Sequence, residues 1–158
     1  MALGDALAVA LLESRGFTAR DFSVFHPGGK LGAQLKQVRE IMHAGARLPV
    51  VGMDASMTQA VAEISAKGFG CVVVTEADGQ LAGIITDGDL RRKLRPDLMG
   101  LAVGDVMTRD PRSIPPDTLL AKALEIQETA KITALVVVEQ GKPVGIVHYL
   151  DLLRAGVV

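Results

Sequence analysis

Apolar residues along the chain follow two patterns, one typical of helices and one typical of strands. Over residues 2–15 and 31–44 they recur every three or four positions, which predicts helices in the first part of the chain. From residue 48 onward, short runs rich in valine and isoleucine alternate with single helical segments. This change predicts an α/β (α+β) protein that begins with helices.

The part after residue 48 contains the same order of predicted elements twice: an extended segment, a helix, two strands joined by a turn, and a closing helix. In the first unit we expect these elements over residues 48–51, 57–67, 71–75, 82–85 and 87–94. In the second unit the extended segment, the two strands and the closing helix are expected over residues 112–114, 135–138, 144–147 and 150–154. The remaining helix is expected to run from an Asp117-Thr118 cap to about residue 130.

Two landmarks show that the units are copies of one another. Met42 and Met107 lie 65 positions apart, and Asp89 and Asp151 lie 62 positions apart. A unit of this size buries too little apolar surface to be stable alone, so two small sheets with flanking helices should pack with pseudo-twofold symmetry. A ligand would then bind in the cleft between them.

The composition narrows the classes of function. Apolar residues make up 49% and charged residues 22% of the 158 residues, which is typical of a globular protein. The net charge of -1 and the 3% aromatic content argue against binding to nucleic acid or to an anionic membrane. The longest apolar run, residues 6–12, is far shorter than the roughly 20 residues that span a bilayer. Because Cys71 is the only cysteine and is expected to be buried, we expect a cytoplasmic protein without disulfides.

Polar residues follow the second strand of the first unit, where Thr86, Asp87 and Asp89 begin the closing helix. A helix start has unpaired N–H groups that attract anions, and a threonine there can bind a phosphate oxygen. A carboxylate one turn later, at Asp89, can accept hydrogen bonds from the vicinal diol of a ribose. The same spacing is that of a capping box, in which Thr86 and Asp89 only satisfy the backbone. The local sequence supports both interpretations.

The second unit repeats this motif with one change, because His148 replaces the threonine while Asp151 keeps the aspartate position. Histidine is expected to cap a helix less well, so capping alone does not explain the pair, and His148 is a candidate donor to phosphate or carboxylate. Arg92 is a candidate partner for an anionic ligand. A surface histidine and a solvated arginine are the alternatives.

No catalytic or metal site is predicted within the chain. His26, His43 and His148 lack the spacing of metal ligands, and no serine or cysteine lies in a nucleophile motif. The Gly-Gly-Lys of residues 28–30 lacks the glycine spacing of a phosphate loop. We therefore expect neither a metal nor a required cofactor.

Residues 84–90, together with Ile41-Met42-His43 and Val106-Met107-Thr108, resemble the motifs of a tandem pair of cystathionine-β-synthase (CBS) domains. The resemblance implies a regulatory module that binds adenine nucleotides or related molecules, with Thr86 and Asp89 in the ligand site. His148 departs from the family pattern, which argues against plain adenosine at that position.

A second resemblance comes from residues 4–12 and 15–17, the His26-Pro27-Gly28-Gly29 segment and the ending from His148 to Gly156, which are similar to the arabinose-5-phosphate isomerase family. That family interconverts D-ribulose 5-phosphate and D-arabinose 5-phosphate for the synthesis of Kdo, an acidic sugar of lipopolysaccharide. The resemblance implies a sugar isomerase remnant at residues 1–37 and CBS repeats at residues 38–98 and 99–158. It also implies a catalytic role for His26 in the full enzyme, while this chain alone is expected to be inactive.

Together the resemblances imply a module that senses a ligand and regulates an attached isomerase domain. CMP-Kdo combines a ribose, a phosphate and a carboxylated sugar, and is the first candidate ligand. AMP and ATP are the alternative ligands. The competing hypothesis is a module that only joins isomerase subunits into a homodimer.

Overall fold

The computed structural model describes residues 11, 14–16 and 30–157 and shows a mixed α/β protein, which confirms the predicted fold class. Two small sheets have helices packed against them. Most of the predicted helix over residues 2–15, and the candidate catalytic residue His26, lie outside the described residues. Within the described part of the chain, no helix is long and apolar enough to span a membrane.

Each repeat contributes most of one sheet. The first sheet contains β1 (Val50–Gly52), β2 (Cys71–Thr75), β3 (Leu81–Thr86) and, from further along the chain, β4 (Thr108–Arg109). The strands lie in the order β1-β2-β3-β4, with β1 parallel to β2 and the other pairs antiparallel. The second sheet contains β5 (Ser113–Ile114), β6 (Ala134–Glu139) and β7 (Lys142–His148). Its strands follow the same order, with β5 parallel to β6 and β6 antiparallel to β7.

Over residues 30–157 the α-helices are α1 (Lys30–Leu35), α2 (Met57–Lys67), α3 (Asp87–Arg92), α4 (Val103–Val106), α5 (Leu120–Ala130) and α6 (Tyr149–Arg154). Short 3-10 helices lie at Val38–Glu40, Gly45–Arg47 and Leu98–Gly100. The bounds of α2 are those predicted from the sequence. The Ser56 hydroxyl accepts a hydrogen bond from the Gln59 N–H at 3.3 Å, and Gly68 ends the helix in the left-handed conformation with a φ of 73°.

Two predicted helix boundaries are wrong for one physical reason. The helix expected to continue to residue 44 ends at Leu35, and the helix expected to begin at an Asp117-Thr118 cap begins at Leu120 without a side-chain cap. Gln37 and Leu119 form an antiparallel bridge, so each segment holds the other extended. The other predicted strands and helices in the described region agree with the structure to within two residues at each end.

The segment that leads into each repeat packs on the sheet of the other repeat. His43 forms an antiparallel bridge with Ile146 of the second sheet, and Thr108 pairs with Ile84 of the first. We call residues 38–43 and 103–109 the exchanged segments. The apolar cores follow the exchange: the first contains Val103, Val106 and Met107, and the second contains Val38 with Ile41 and Met42 packed against it.

A third apolar cluster joins the two sheets. Its buried residues are Phe69, Cys71 and Ile146, and Ile84 and Ala134 pack against them. The structure confirms that Cys71 is a buried hydrophobe, because it is only 1% exposed. Burial, and then the charge of Asp87, raise the pKa of the Cys71 thiol to about 12.

Candidate functional site

A cleft of about 840 Å³ lies between the two repeats. The loop before β2, the junction of β3 and α3, the residues around β4 and the loop before β6 form its walls. Five of the predicted ligand residues lie there together, namely Thr86, Asp87, Asp89, Arg92 and His148. Pockets for small molecules in proteins measure about 300–1,000 Å³, so the cleft is large enough for a molecule of nucleotide size.

At the start of α3, Thr86 and Asp89 form a capping box. The Thr86 hydroxyl accepts a hydrogen bond from the Asp89 N–H at 3.2 Å and donates to the Asp89 carboxylate at 2.7 Å. The Thr86 N–H donates to the same carboxylate oxygen at 2.9 Å, and the Asp87 N–H donates to the Gly70 carbonyl at 2.9 Å. These N–H groups, which the sequence suggested were available to an anion, are therefore engaged by the protein.

The second oxygen of Asp89 accepts hydrogen bonds from two further side chains. The Arg92 guanidinium lies 2.7 Å away and the Thr108 hydroxyl 3.3 Å away. Burial raises the pKa of the Asp89 carboxyl, but the hydrogen bonds from Thr86 and Arg92 and the charge of Arg92 outweigh burial, so the pKa lies below its usual value. Asp89 is therefore ionised at neutral pH, as an acceptor for hydroxyl groups must be.

Cationic side chains line the same cleft as this carboxylate. Arg92 is paired with Asp89, yet its side chain is 69% exposed, so water already solvates part of the guanidinium. Arg91, Arg112 and Lys131 also line the cleft, against the carboxylates of Asp87 and Asp110. With Arg92 and Asp89 included, four cations face three anions, which favours a ligand that carries negative charge.

The junction of β7 and α6 repeats this construction. His148 Nδ1 accepts a hydrogen bond from the Leu150 N–H at 3.2 Å, and the His148 N–H donates to the Asp151 carboxylate at 3.0 Å. His148 therefore does cap the helix, because its ring nitrogen accepts a backbone hydrogen bond. Asp151 is not brought into the lining of the cleft. Its carboxylate lies 3.0 Å from His43 Nε2 instead.

Sequence reasoning missed two walls of the cleft. Thr108 and Arg112 reach it because the second exchanged segment crosses to the first sheet, and Lys131 reaches it from the second repeat. Lys131 ends α5 in the left-handed conformation, with a φ of 53°, as Gly68 ends α2. Aligning the two helix ends would have identified this unusual lysine. Among the described residues, no group of three or more His, Cys, Asp or Glu side chains is arranged to hold a metal ion.

The chain is similar in sequence to curated arabinose 5-phosphate isomerases. It is 46% identical to KdsD of Yersinia pestis and 50% identical to KdsD of Pseudomonas aeruginosa, each over 161 residues. The matches cover 100% and 99% of this chain, but 49% of each relative. The chain therefore spans about half the length of the curated relatives it matches.

The fold is similar to solved structures of CBS-domain proteins. The CBS-pair protein CBSX2 from Arabidopsis thaliana matches with a TM-score of 0.67 and 28% identity, over 75% of this chain and 92% of that chain. CBSX2 in complex with AMP matches with a TM-score of 0.66 and 28% identity, over 75% and 94%. The model of the CBS domain family matches residues 38–96 and 103–158. The chain therefore belongs to the CBS domain family, as a tandem pair of CBS domains.

Proposed function

We propose that this CBS pair regulates a D-arabinose 5-phosphate isomerase and senses a nucleotide or nucleotide sugar in the cleft. The observation that carries the proposal is the cleft, where Asp89, Arg92, Arg112 and Lys131 converge from both repeats. The KdsD relatives support the isomerase context, since they match the chain over its whole length. The AMP complex of CBSX2 supports a nucleotide as the class of ligand.

In this proposal the isomerase reaction requires the part of the relatives that the chain does not span. The full enzyme would interconvert D-ribulose 5-phosphate and D-arabinose 5-phosphate for Kdo synthesis, with His26 as a proton-transfer residue. The 158-residue chain is expected to show no turnover by itself. Measurable isomerisation of arabinose 5-phosphate by the purified chain would contradict this part of the proposal.

A ribose would bind by replacing one hydrogen-bond partner of Asp89. The Oδ2 atom stays bound to Thr86 in the capping box, whereas Oδ1 is held by Arg92 at 2.7 Å and by Thr108 at 3.3 Å. A diol hydroxyl can take the place of Arg92, because a carboxylate oxygen accepts from either donor. The released guanidinium, which is already 69% exposed, can then bind the phosphate of the same ligand.

CMP-Kdo is the candidate ligand that uses most of the cleft. Its ribose suits Asp89, its phosphate suits Arg92 and Arg112, and the carboxylate of its sugar suits His148 or Lys131. AMP and ATP offer the ribose and phosphate groups, but they lack a sugar acid for the His148 side of the cleft. A nucleotide sugar made from Kdo would also be an economical signal for an enzyme that supplies Kdo synthesis.

Isothermal titration calorimetry with CMP-Kdo, AMP and ATP tests the ligand. We expect CMP-Kdo to bind most tightly, and tighter binding of AMP or ATP would overturn that assignment. Arg112→Ala tests the site, and Arg95→Ala is the matched control, because Arg95 lies outside this cleft and pairs with Asp97 at 3.0 Å. Loss of a phosphate contact of about 1.4 kcal/mol weakens binding about tenfold. An equal loss in both variants would contradict the placement of the ligand.

A dimerisation module is the second candidate, and one surface favours it. Leu150 and Leu153 on α6 are 49% and 38% exposed, and residues three positions apart share a helix face. Such an apolar face suits a second copy of the chain. Analytical ultracentrifugation and calorimetry of Leu153→Glu separate the candidates. If the pair senses a ligand, Leu153→Glu should still bind the ligand after it has lost the dimer. If the pair only assembles subunits, Arg112→Ala should leave the regulation of the full-length enzyme unchanged.

A further inference from the structure

The residues that the second repeat contributes to the open cleft have counterparts at equivalent positions of the first repeat. Thr108, in the second exchanged segment, corresponds to His43, which lies 65 positions earlier in the first. Arg112 corresponds to Arg47 by the same spacing, and Ile132 corresponds to Phe69, 63 positions earlier. The pseudo-twofold symmetry therefore places an equivalent second cleft beside the junction of β7 and α6.

Phe69 occupies the position of this second cleft. Its ring centroid lies 4.9 Å from that of His43, and the guanidinium carbon of Arg47 lies 5.9 Å from the Phe69 centroid. These are contact distances for an aromatic pair and a cation–π pair. Phe69 is only 6% exposed, and the face of Phe69 that is not covered by these contacts borders the open cleft. In the open cleft the smaller Ile132 stands at the equivalent position and lines empty space.

A lysine closes the rim on the same side. Lys67 Nζ donates to the Ala46 carbonyl at 2.6 Å and so links the end of α2 to the 3-10 helix Gly45–Arg47. The counterpart of Lys67 in the second repeat is Ala130, whose methyl group cannot form such a link. Residues 67 and 69 therefore favour closure of the second cleft, whereas Gly68, which has no side chain, takes the position of Lys131 on the open side.

The polar groups of the second side are also bound to one another. Asp151 corresponds to Asp89, but its partner is the His43 ring at 3.0 Å, where Asp89 has the smaller Thr108 hydroxyl at 3.3 Å. The same His43 ring packs against Phe69. A larger, aromatic partner therefore binds the carboxylate of Asp151, whose side chain is 14% exposed against 6% for Asp89.

We infer that Phe69, together with Lys67, closes the second cleft and limits the CBS pair to one ligand site. The inference rests on the proposed function of the open cleft. Phe69 is in this view the residue that sets the stoichiometry of binding. Ile132 is its counterpart on the open side, where a smaller side chain admits the ligand.

Reciprocal substitutions test the inference, with AMP and CMP as the probes in titration calorimetry. Lys67→Ala/Phe69→Ile gives the closed side the residues that the open side has at these two positions. It is expected to raise the stoichiometry from one nucleotide per chain to two. Ile132→Phe gives the open side the residue of the closed side, and is expected to weaken binding more than tenfold. Circular dichroism melts check that each variant is folded, and Phe69→Ile alone replaces the double variant if that variant does not fold.

The outcomes separate the inference from the proposed function. Two nucleotides per wild-type chain would overturn the inference, as would an unchanged stoichiometry in the folded double variant or an unchanged affinity in Ile132→Phe. Wild-type protein that binds none of AMP, CMP and CMP-Kdo would contradict the proposed function instead. In that case a crystal structure of the nucleotide-free Lys67→Ala/Phe69→Ile variant tests the inference. An open second cleft would support it, and a neighbouring side chain that refills the space would overturn it.

Discussion

The imidazole of His43 lies 3.0 Å from the carboxylate of Asp151, although the two residues are 108 positions apart. Thr108 meets Asp89 in the corresponding way at 3.3 Å. In both cases a side chain of an exchanged segment reaches the aspartate at a helix start. The exchange therefore connects the backbone pairing of each sheet to the polar groups at the end of its strands.

The His43–Asp151 contact is expected to stabilise the fold. Removal of a partner from a half-buried carboxylate costs about 1–3 kcal/mol, so His43→Ala should lower the free energy of unfolding by that amount. Urea denaturation of His43→Ala, Asp151→Asn and the double variant gives the coupling energy between the two side chains. A coupling energy indistinguishable from zero would show that the contact contributes nothing.

Asp89 predicts a dependence of stability on pH. Its pKa is lowered in the folded state, so below the ordinary value of about 3.9 the unfolded chain binds more protons than the folded chain. The stabilisation by Asp89 is therefore present above about pH 4 and is lost as the pH falls through the folded-state pKa. Asp89→Asn should lower the free energy of unfolding at pH 7 by about 1–3 kcal/mol. It should also reduce the loss of that free energy as the pH falls below about 4.

Urea midpoints measured from pH 7 down to pH 3 provide this test. Asp54→Asn is the matched control, because the Asp54 side chain is exposed. The control should follow the wild-type curve. If Asp89→Asn also follows it, the acid sensitivity arises elsewhere in the protein.

Gly83 and Gly145 allow the exchanged segments to approach the sheets. A Cβ atom at Gly83 would lie 2.7 Å from both the Met107 sulfur and the Thr108 carbonyl oxygen, whereas at Gly145 only the Met42 sulfur would lie that close. A methionine side chain can move aside more easily than a backbone carbonyl in a strand, and the His43 carbonyl oxygen would lie further away, 3.2 Å from a Cβ atom at Gly145. Gly83→Ala should therefore cost about 1–3 kcal/mol of stability and Gly145→Ala less.

The free energies of unfolding of these two variants are to be compared with that of Gly52→Ala. Gly52 has open space around its Cα, so it controls for the general effect of replacing a strand glycine. Equal destabilisation by the Gly83 and Gly145 substitutions would indicate that the backbone contact at Gly83 is unimportant.

The sequence predicted those elements whose determinants are local. Ser56 and Gly68 lie next to α2 and fix its ends through a cap and a left-handed residue, so its bounds were predictable. The end of α1 depends on the bridge between Gln37 and Leu119, which lie 82 positions apart, and no local pattern contains that information.

The same distinction applies to the candidate site. Thr86 and Asp89 were identifiable because one motif contains both residues, and the repeat identified His148. Thr108 and Arg112 enter the cleft only because their segment crosses to the other sheet, so their own neighbours in sequence give no indication of it. Asp151 was expected in the cleft by analogy with Asp89, but it faces His43 instead.

Cys71 is expected to be inert in the folded protein. Its thiol is 1% exposed and its pKa is raised to about 12, so at pH 8 the thiolate fraction is on the order of a thousandfold lower than for a free cysteine of pKa about 8.5. Labelling with a chromogenic disulfide should be slow in native buffer and rapid in urea. Complete labelling of folded protein within minutes would contradict this expectation.

Exchange of the segments also makes the two CBS domains one folding unit. A chain of residues 38–96 alone would lack β4 and the apolar side chains of residues 103–107, while its own residues 38–43 would have no second sheet to pack on. Neither half is then expected to fold independently, and the pair should unfold in a single cooperative transition. Because the pairing joins residues that are distant in sequence, refolding should be slow for a chain of this size. Any ligand bound in the cleft, which residues of both sheets line, would thereby stabilise both halves together.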